Sequence, residues 1–348
     1  MELVYKILVF IPVLGVLIFV HELGHFLAAK WAGIRVERFS LGFPPRMFGK
    51  KVGDTDYCIS WIPLGGYVKM AGMVDESMDT KIEGHPWEFM SKPVWKRFIV
   101  IAAGPFMNIL LTIIFFTALN YFYGVPQAAK GTIIGEVIAN SPADSLGLKA
   151  NDRILSVNGE NVATWEELTQ RIHANPRKTI LLKWERNGEM LEREVIPRLD
   201  AQDQKGKIGI GLKVEMRPAG FGESVMLAGA STWFLTREIG KFIGRLFARQ
   251  ESVRENLAGP VKMMDMAFQF AQMGFDKLMN FVALISLQLA LVNLLPIPAL
   301  DGGHLLFLGI EGILRRPLSV RVRVVLQQVG MALLLLLMVF VVFNDFQK

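Results

Sequence analysis

The sequence predicts a polytopic α-helical membrane protein with four transmembrane helices and an α+β module inserted between the second and third. Hydrophobic residues make up 52% of the 348 and gather in four blocks, Leu3–Ala29, Phe98–Tyr123, Asn280–Leu300 and Val324–Phe343. Each block can cross ~30 Å of hydrocarbon at ~1.5 Å per residue. Between the second and third, β-branched runs alternate with Gly, Asn and Asp, as in a water-soluble domain.

Taken in order, residues 1–30 form the first transmembrane helix. Only Lys6 precedes most of its apolar run, which exceeds the ~7–15 residues of a cleaved signal core, so the helix is retained. Residues 31–97 form a cytoplasmic-side region and 98–123 the second helix. Lys30, Arg35, Arg38, Arg46, Lys50 and Lys51 follow the first span, Lys92, Lys96 and Arg97 precede the second, and Arg315, Arg316, Arg321 and Arg323 lie between the third and fourth. Positive charge stays on the cytoplasmic side, so both termini and residues 124–279 face outward. The formal +6 charge therefore reports topology, with the lipid bilayer and no nucleic acid as partner. Cys58 is the single cysteine, which excludes an intrachain disulfide and a cysteine zinc cluster.

Residues 127–199 form the module. The strand "RILSV", a turn at Asn158-Gly159, a helix capped at Thr164 and the strands "KTILLKWER" and "MLEREVIP" around Asn187-Gly188 describe a small sheet with one or two helices. Residues 200–279 form an extracytoplasmic linker and amphipathic helices, packed on the spans or lying in the membrane interface. The third span, 280–314, is interrupted by Pro296 and Pro298, and 324–344 is the fourth.

The first span contains "HELGH", with two histidines and a glutamate in an apolar helix. Unpaired ionisable groups are costly there, so something compensates for them. His21 and His25, one turn apart on one helix face, suit two imidazoles binding one Zn²⁺, and Glu22 beside them can reach a water. A catalytic zinc needs a third protein ligand and an open position. His85 and His173 lie in polar segments outside the spans, whereas "NLLPIPALDGGH" offers Asp301 in a broken span. Asp301 lies as far from Phe281 as His21 and His25 lie from Leu3, roughly 27–33 Å at helical rise, so the three reach similar depth. Two imidazoles and a carboxylate leave the zinc site at +1, suited to peptide hydrolysis with Glu22 moving the proton.

These motifs, with "VERFSLGF", "PLGGYVKMAG", "AGPFMN", "LAGPV" and the external module, resemble the site-2 protease family of intramembrane zinc metalloproteases, in its bacterial regulator-of-sigma-E branch. The resemblance implies His21, His25 and Asp301 as ligands of one zinc, Glu22 as catalytic base and Asn293 as a substrate contact. It also implies a PDZ-like fold for the module and a membrane-associated β-hairpin or re-entrant loop between about Gly33 and Met70. Substrates would be single-span proteins, anti-sigma factors or remnant signal peptides, trimmed first by an upstream protease, with the enzyme in the bacterial inner membrane. Gly42-Phe43-Pro44 departs from the family's usual Gly-Phe-Gly, and Pro44 removes a backbone donor there. A catalytically silent PDZ membrane adaptor is the alternative, and an intact Glu22 argues against it. A metal transporter would want acidic or histidine groups in spans two and four, which lack them.

Overall fold

The computed structural model describes residues 2–73, 82–200, 204–248 and 259–345. Leu257 and Ala258 of the "LAGPV" motif and Arg249-Gln250 of the amphipathic stretch lie outside the described residues. Two compact units emerge: Tyr121–Ala219, and a helical unit formed by the chain before and after it.

In the helical unit, α1 (Glu2–Trp31) buries Val13, Leu17, His21, Gly24, His25 and Ala29, a stripe recurring at helical spacing. Leu3, Leu8, Val16 and Leu27 are exposed, as on a surface solvated by lipid. The helix α2 (Val94–Tyr123) buries Val100, Ile101, Gly104, Asn108, Leu111 and Thr112 in the same way. The two helices meet so closely that a Cβ on Gly24 would sit 2.3 Å from the Ala103 carbonyl oxygen. Small residues permit such backbone contact between membrane helices.

Residues 36–70 form a sheet, β1 (Val36–Val52) and β2 (Thr55–Met70), turning at Gly53. It is more curled than a simple hairpin, because Ser40 lies opposite both Cys58 and Tyr67. Bulges at repeated register shifts allow that curl. Val36, Phe39, Val68 and Met70 of this sheet bury their side chains with Ala29, Val100, Ile101 and Leu308.

After the α+β unit come α5 (Phe221–Phe247), α6 (Pro260–Met273) and α7 (Phe275–Asn293). Lys6 of α1 pairs with Asp265 of α6 at 2.8 Å. Proline removes a helical hydrogen bond and kinks or breaks a helix; Pro12 and Pro105 are carried inside α1 and α2, whereas α7 ends at Asn293, three residues before Pro296. Residues 294–300 are non-helical, and α8 (Asp301–Leu314) begins afresh. Of the stretch 280–314, read from sequence as one broken span, only the part within Phe275–Asn293 belongs to a helix long and apolar enough to cross a membrane. Glu2–Trp31, Val94–Tyr123 and Val320–Asp345, here α9, are the other such helices, giving four among the described residues.

Glu311 ties three of these helices together. Buried on α8, it accepts from Arg97 of α2 at 3.0 Å, from Arg323 of α9, and from the Leu318 backbone N–H at 2.6 Å. Asp345, near the end of α9, accepts the N–H groups of Gly259 and Lys262 at 3.0 and 3.2 Å, satisfying donors at the start of α6.

The second unit holds β3 (Val125–Ala128), β4 (Ile134–Val137), α3 (Pro142–Leu146), β5 (Arg153–Val157), β6 (Glu160–Asn161), α4 (Trp165–His173), β7 (Ile180–Arg186) and β8 (Glu189–Val195). Strands β6-β5-β7-β8 form one antiparallel sheet over a core of Ile154, Leu168, Ile180, Leu182 and Trp184. Asn187 and Gly188 take positive φ at the β7–β8 turn, the backbone such a two-residue hairpin prefers. Asp152, buried, receives Arg186 through two bonds of 2.7 Å. The stretch 200–219, read from sequence as linker, continues the fold: β9 (Arg198–Leu199) pairs with β10 (Gly206–Lys207), β11 (Ile210–Leu212) with β4, and β12 (Val214–Arg217) with β3. The β3–β12 pair places the two ends of the unit side by side, the usual condition for an inserted domain.

Candidate metal centre

His21 and His25 project from one face of α1, and Asp301 opens α8 after the proline-broken segment. Ala299, two residues earlier, has φ 78°, a left-handed conformation that costs a non-glycine residue energy and recurs at functional sites. His21 Nε2 lies 3.2 Å from His25 Nε2 and 3.1 Å from Asp301 Oδ2, and His25 Nε2 lies 3.4 Å from Asp301 Oδ1. Four tetrahedral ligands at ~2.0–2.1 Å from zinc stand ~3.3 Å from one another, and these separations, taken to the two Asp301 oxygens in turn, are of that size. Asp301 Oδ2 is buried without a hydrogen-bond partner among the described residues. A buried carboxylate whose two oxygens each face an imidazole nitrogen fits a divalent cation.

His25 Nδ1 donates to the Val100 carbonyl at 2.9 Å, which fixes its tautomer and turns the Nε2 lone pair toward Asp301. His21 Nδ1 lies 3.3 Å from the Asn108 side-chain nitrogen. Gly104 makes room between these helices: a Cβ there would fall 2.3 Å from His25 Nε2 and 2.9 Å from His21 Cε1. One cavity of about 470 Å³ is lined by His21, His25 and Asp301 together with Glu22, Asn293 and His304, and Gly65, Gly66 and Tyr67 of β2 and Met338 of α9 form part of its wall. Asn293, the last residue of α7, brings its amide nitrogen to 3.4 Å from His21 Nε2. Phe43 of the departing Gly-Phe-Pro stretch also lines the cavity and stacks on Tyr67, ring centroids 6.4 Å apart.

The five residues singled out in the sequence, His21, Glu22, His25, Asn293 and Asp301, thus come together around one cavity. His304 was not assigned a role, although its spacing of one helical turn from Asp301 on α8 signals the same face. His85 lies elsewhere, in a second group with Glu83 and Glu88. There Glu88 accepts the N–H groups of Glu83 and Gly84, both at 3.0 Å. Burial pushes its carboxyl up, but those backbone bonds prevail and hold it below its ordinary value. Loop closure accounts for this group.

The sequence profile described as Peptidase family M50 matches residues 9–337. The chain belongs to that family. A protein of Rhizobium meliloti that carries the provisional name of a zinc metalloprotease is 33% identical over 367 residues, covering 99% of this chain and 97% of its own. One of Nostoc sp., named in the same way, is 37% identical over 98% of this chain and 95% of its own. Regulator of sigma-W protease RasP of Bacillus subtilis is 31% identical over 99% of each. Among solved structures, the PDZ domain of an SdrC-like protein from Listeria monocytogenes is 20% identical and covers 25% of this chain and 93% of its own, with a TM-score of 0.23. As an M50 peptidase the chain is a zinc metalloprotease of the site-2 type in a membrane.

Proposed function

We propose that this M50 peptidase cleaves single-span membrane proteins within the bilayer, using His21, His25 and Asp301 to hold one zinc ion and Glu22 as the general base. The observation that carries the reading is the pair of imidazole nitrogens, His21 Nε2 and His25 Nε2, 3.2 Å apart and 3.1 and 3.4 Å from the two Asp301 carboxylate oxygens, at a cavity shared with Glu22 on elements of an apolar helical unit. When bound, zinc supplies Lewis acidity toward a peptide carbonyl and eases deprotonation of water at its open position. Glu22 takes the proton of the attacking water and delivers it to the leaving amide nitrogen. Asn293 donates its amide N–H to the substrate backbone beside His21. Tyr67, Gly66 and Gly65 bring the β2 backbone to the cavity wall, and a substrate segment unwound there adds to the sheet as a strand, extended as hydrolysis requires.

Anti-sigma factors and remnant signal peptides are the substrate types that fit, delivered by an upstream trimming protease. The similarity to a regulator of sigma-W protease supports the first type. We further propose that the enzyme sits in the bacterial inner membrane with both termini and the α+β unit, PDZ-like in its small sheet and helices, outside.

The test is cleavage of a single-span reporter by purified protein in detergent, wild type against Glu22→Gln, with zinc content measured for both. The variant is expected to keep its zinc and lose ~10²–10⁴-fold in rate. A variant that still cuts at the wild-type rate sinks the assignment of the base, and wild-type protein that cuts nothing and holds no zinc returns the adaptor reading.

A further inference from the structure

The two imidazoles are held differently. His25 Nδ1 is committed to the Val100 carbonyl, whereas His21 Nδ1 faces a side chain that can either donate or accept. Asn108 is 0% exposed, and its Oδ1 has no hydrogen-bond partner among the described residues. With the amide nitrogen toward the ring, Asn108 donates into Nδ1, and Nε2 must carry the ring proton. That proton would point into the space bounded by His25 Nε2 and Asp301 Oδ2, at 3.2 and 3.1 Å. A nitrogen carrying a proton there has no lone pair for a metal.

A half-turn of the amide exchanges its oxygen and nitrogen at no cost in shape. Either way the amide has one partner among the described residues, His21, so what the ring needs decides the orientation. We infer that Asn108 is the positioning residue for His21: its Oδ1 accepts from Nδ1–H and makes Nε2 the metal-binding nitrogen, as the Val100 carbonyl does for His25. The inference rests on the ligand set proposed above. Its rigidity is built in, because the Asn108 backbone carbonyl accepts Thr112 Oγ at 3.0 Å and Ser286 Oγ of α7 at 2.8 Å. Thr112 Oγ also reaches the Ala283 carbonyl at 3.0 Å, so α7 pins this turn of α2. One helix thus orients both rings.

The experiment measures Zn²⁺ affinity by chelator competition on the purified full-length protein, for wild type, Asn108→Leu, Asn108→Asp and His21→Ala, with thermal unfolding of each zinc-free protein as the fold control. Loss of an outer hydrogen-bond partner of a ligand histidine weakens metal binding ~10–100-fold, and Asn108→Leu is expected in that range with unchanged zinc-free unfolding. Asn108→Asp keeps an acceptor and loses the amide donor, so it is expected to bind zinc within about threefold of wild type. Wild-type affinity in Asn108→Leu overturns the inference, as does an Asn108→Asp protein as weak as Asn108→Leu, which would mean that donation is what matters. Should Asn108→Leu fail to fold, the Asn108→Asp comparison with wild type decides alone: retention supports acceptance and loss overturns it. His21→Ala binding as tightly as wild type is a separate result, which removes the ligand set and the inference with it.

Discussion

At the scale of single residues, the site depends on side chains that are absent as much as on those present. Gly104 lies where a Cβ would be 2.3 Å from His25 Nε2, a separation that forces the ring or the helix to move. Misplacing a catalytic group by ~1 Å can cost ~10²-fold in rate. Gly104→Ala should therefore lose zinc and fall by about that factor in cleavage, while Gly15→Ala, which meets nothing within 4 Å on α1, should retain both. Zinc content of the two purified variants checks this, and equal loading would show that the helices yield at Gly104. His304 joins the same cavity with no assigned step, and its ring lies edge-on to Phe307 at 6.1 Å.

At the scale of elements, two devices hold the helices in place. Glu311 is buried between Arg97 and Arg323, so removing it leaves two uncompensated cations in the core of three helices. Breaking such a pair costs ~3–5 kcal/mol, and Glu311→Ala should unfold at clearly lower temperature in detergent than wild type. An unchanged transition would mean that water already screens the triad. In the α+β unit, Thr164 and Glu167 form a capping box at α4. The N–H groups of Ala163 and Thr164 hold the Glu167 carboxyl below its ordinary 4.5. A depressed carboxyl pKa stabilises the fold at pH above the unfolded value and loses that contribution as pH falls through the folded one. Amide protection at Ala163 and Thr164, corrected for intrinsic exchange, should exceed that of Glu167→Gln at neutral pH. The difference should shrink once the pH drops below 4.5, the ordinary carboxyl value. Glu167→Gln matching wild type at neutral pH would show that the carboxylate charge adds nothing to the cap.

At the scale of the whole molecule, the α+β unit is spliced into the helical chain between α2 and α5, its ends joined by the β3–β12 pair. The basic residues flanking α1, α2 and α9 predict that this unit faces outward. Protease added to intact spheroplasts should then cut within Tyr121–Ala219 and leave the β1–β2 sheet untouched; cutting of the sheet alone would reverse the topology.

The sequence by itself determined the four apolar helices, because ~20 apolar residues and the basic loops around them are local signals. It also determined the strands and turns of 153–195 and the pairing of His21 with His25, which follow from short spacings along one strand or helix. Asp301 was legible as a charge in a broken span, and Asn293 only through the resemblance. The tertiary structure alone decided the rest. The Val100 carbonyl serves His25 from 75 residues away and Asn108 faces His21 across 87, contacts set by how closely α1 and α2 pack at Gly24 and Gly104. The strands of 210–217 are short, and their partners at 125–137 lie far back in the chain, so their pairing became visible only on folding. Local patterns record which face of a segment is apolar, whereas a binding site is made by the faces that three separate segments turn toward one another.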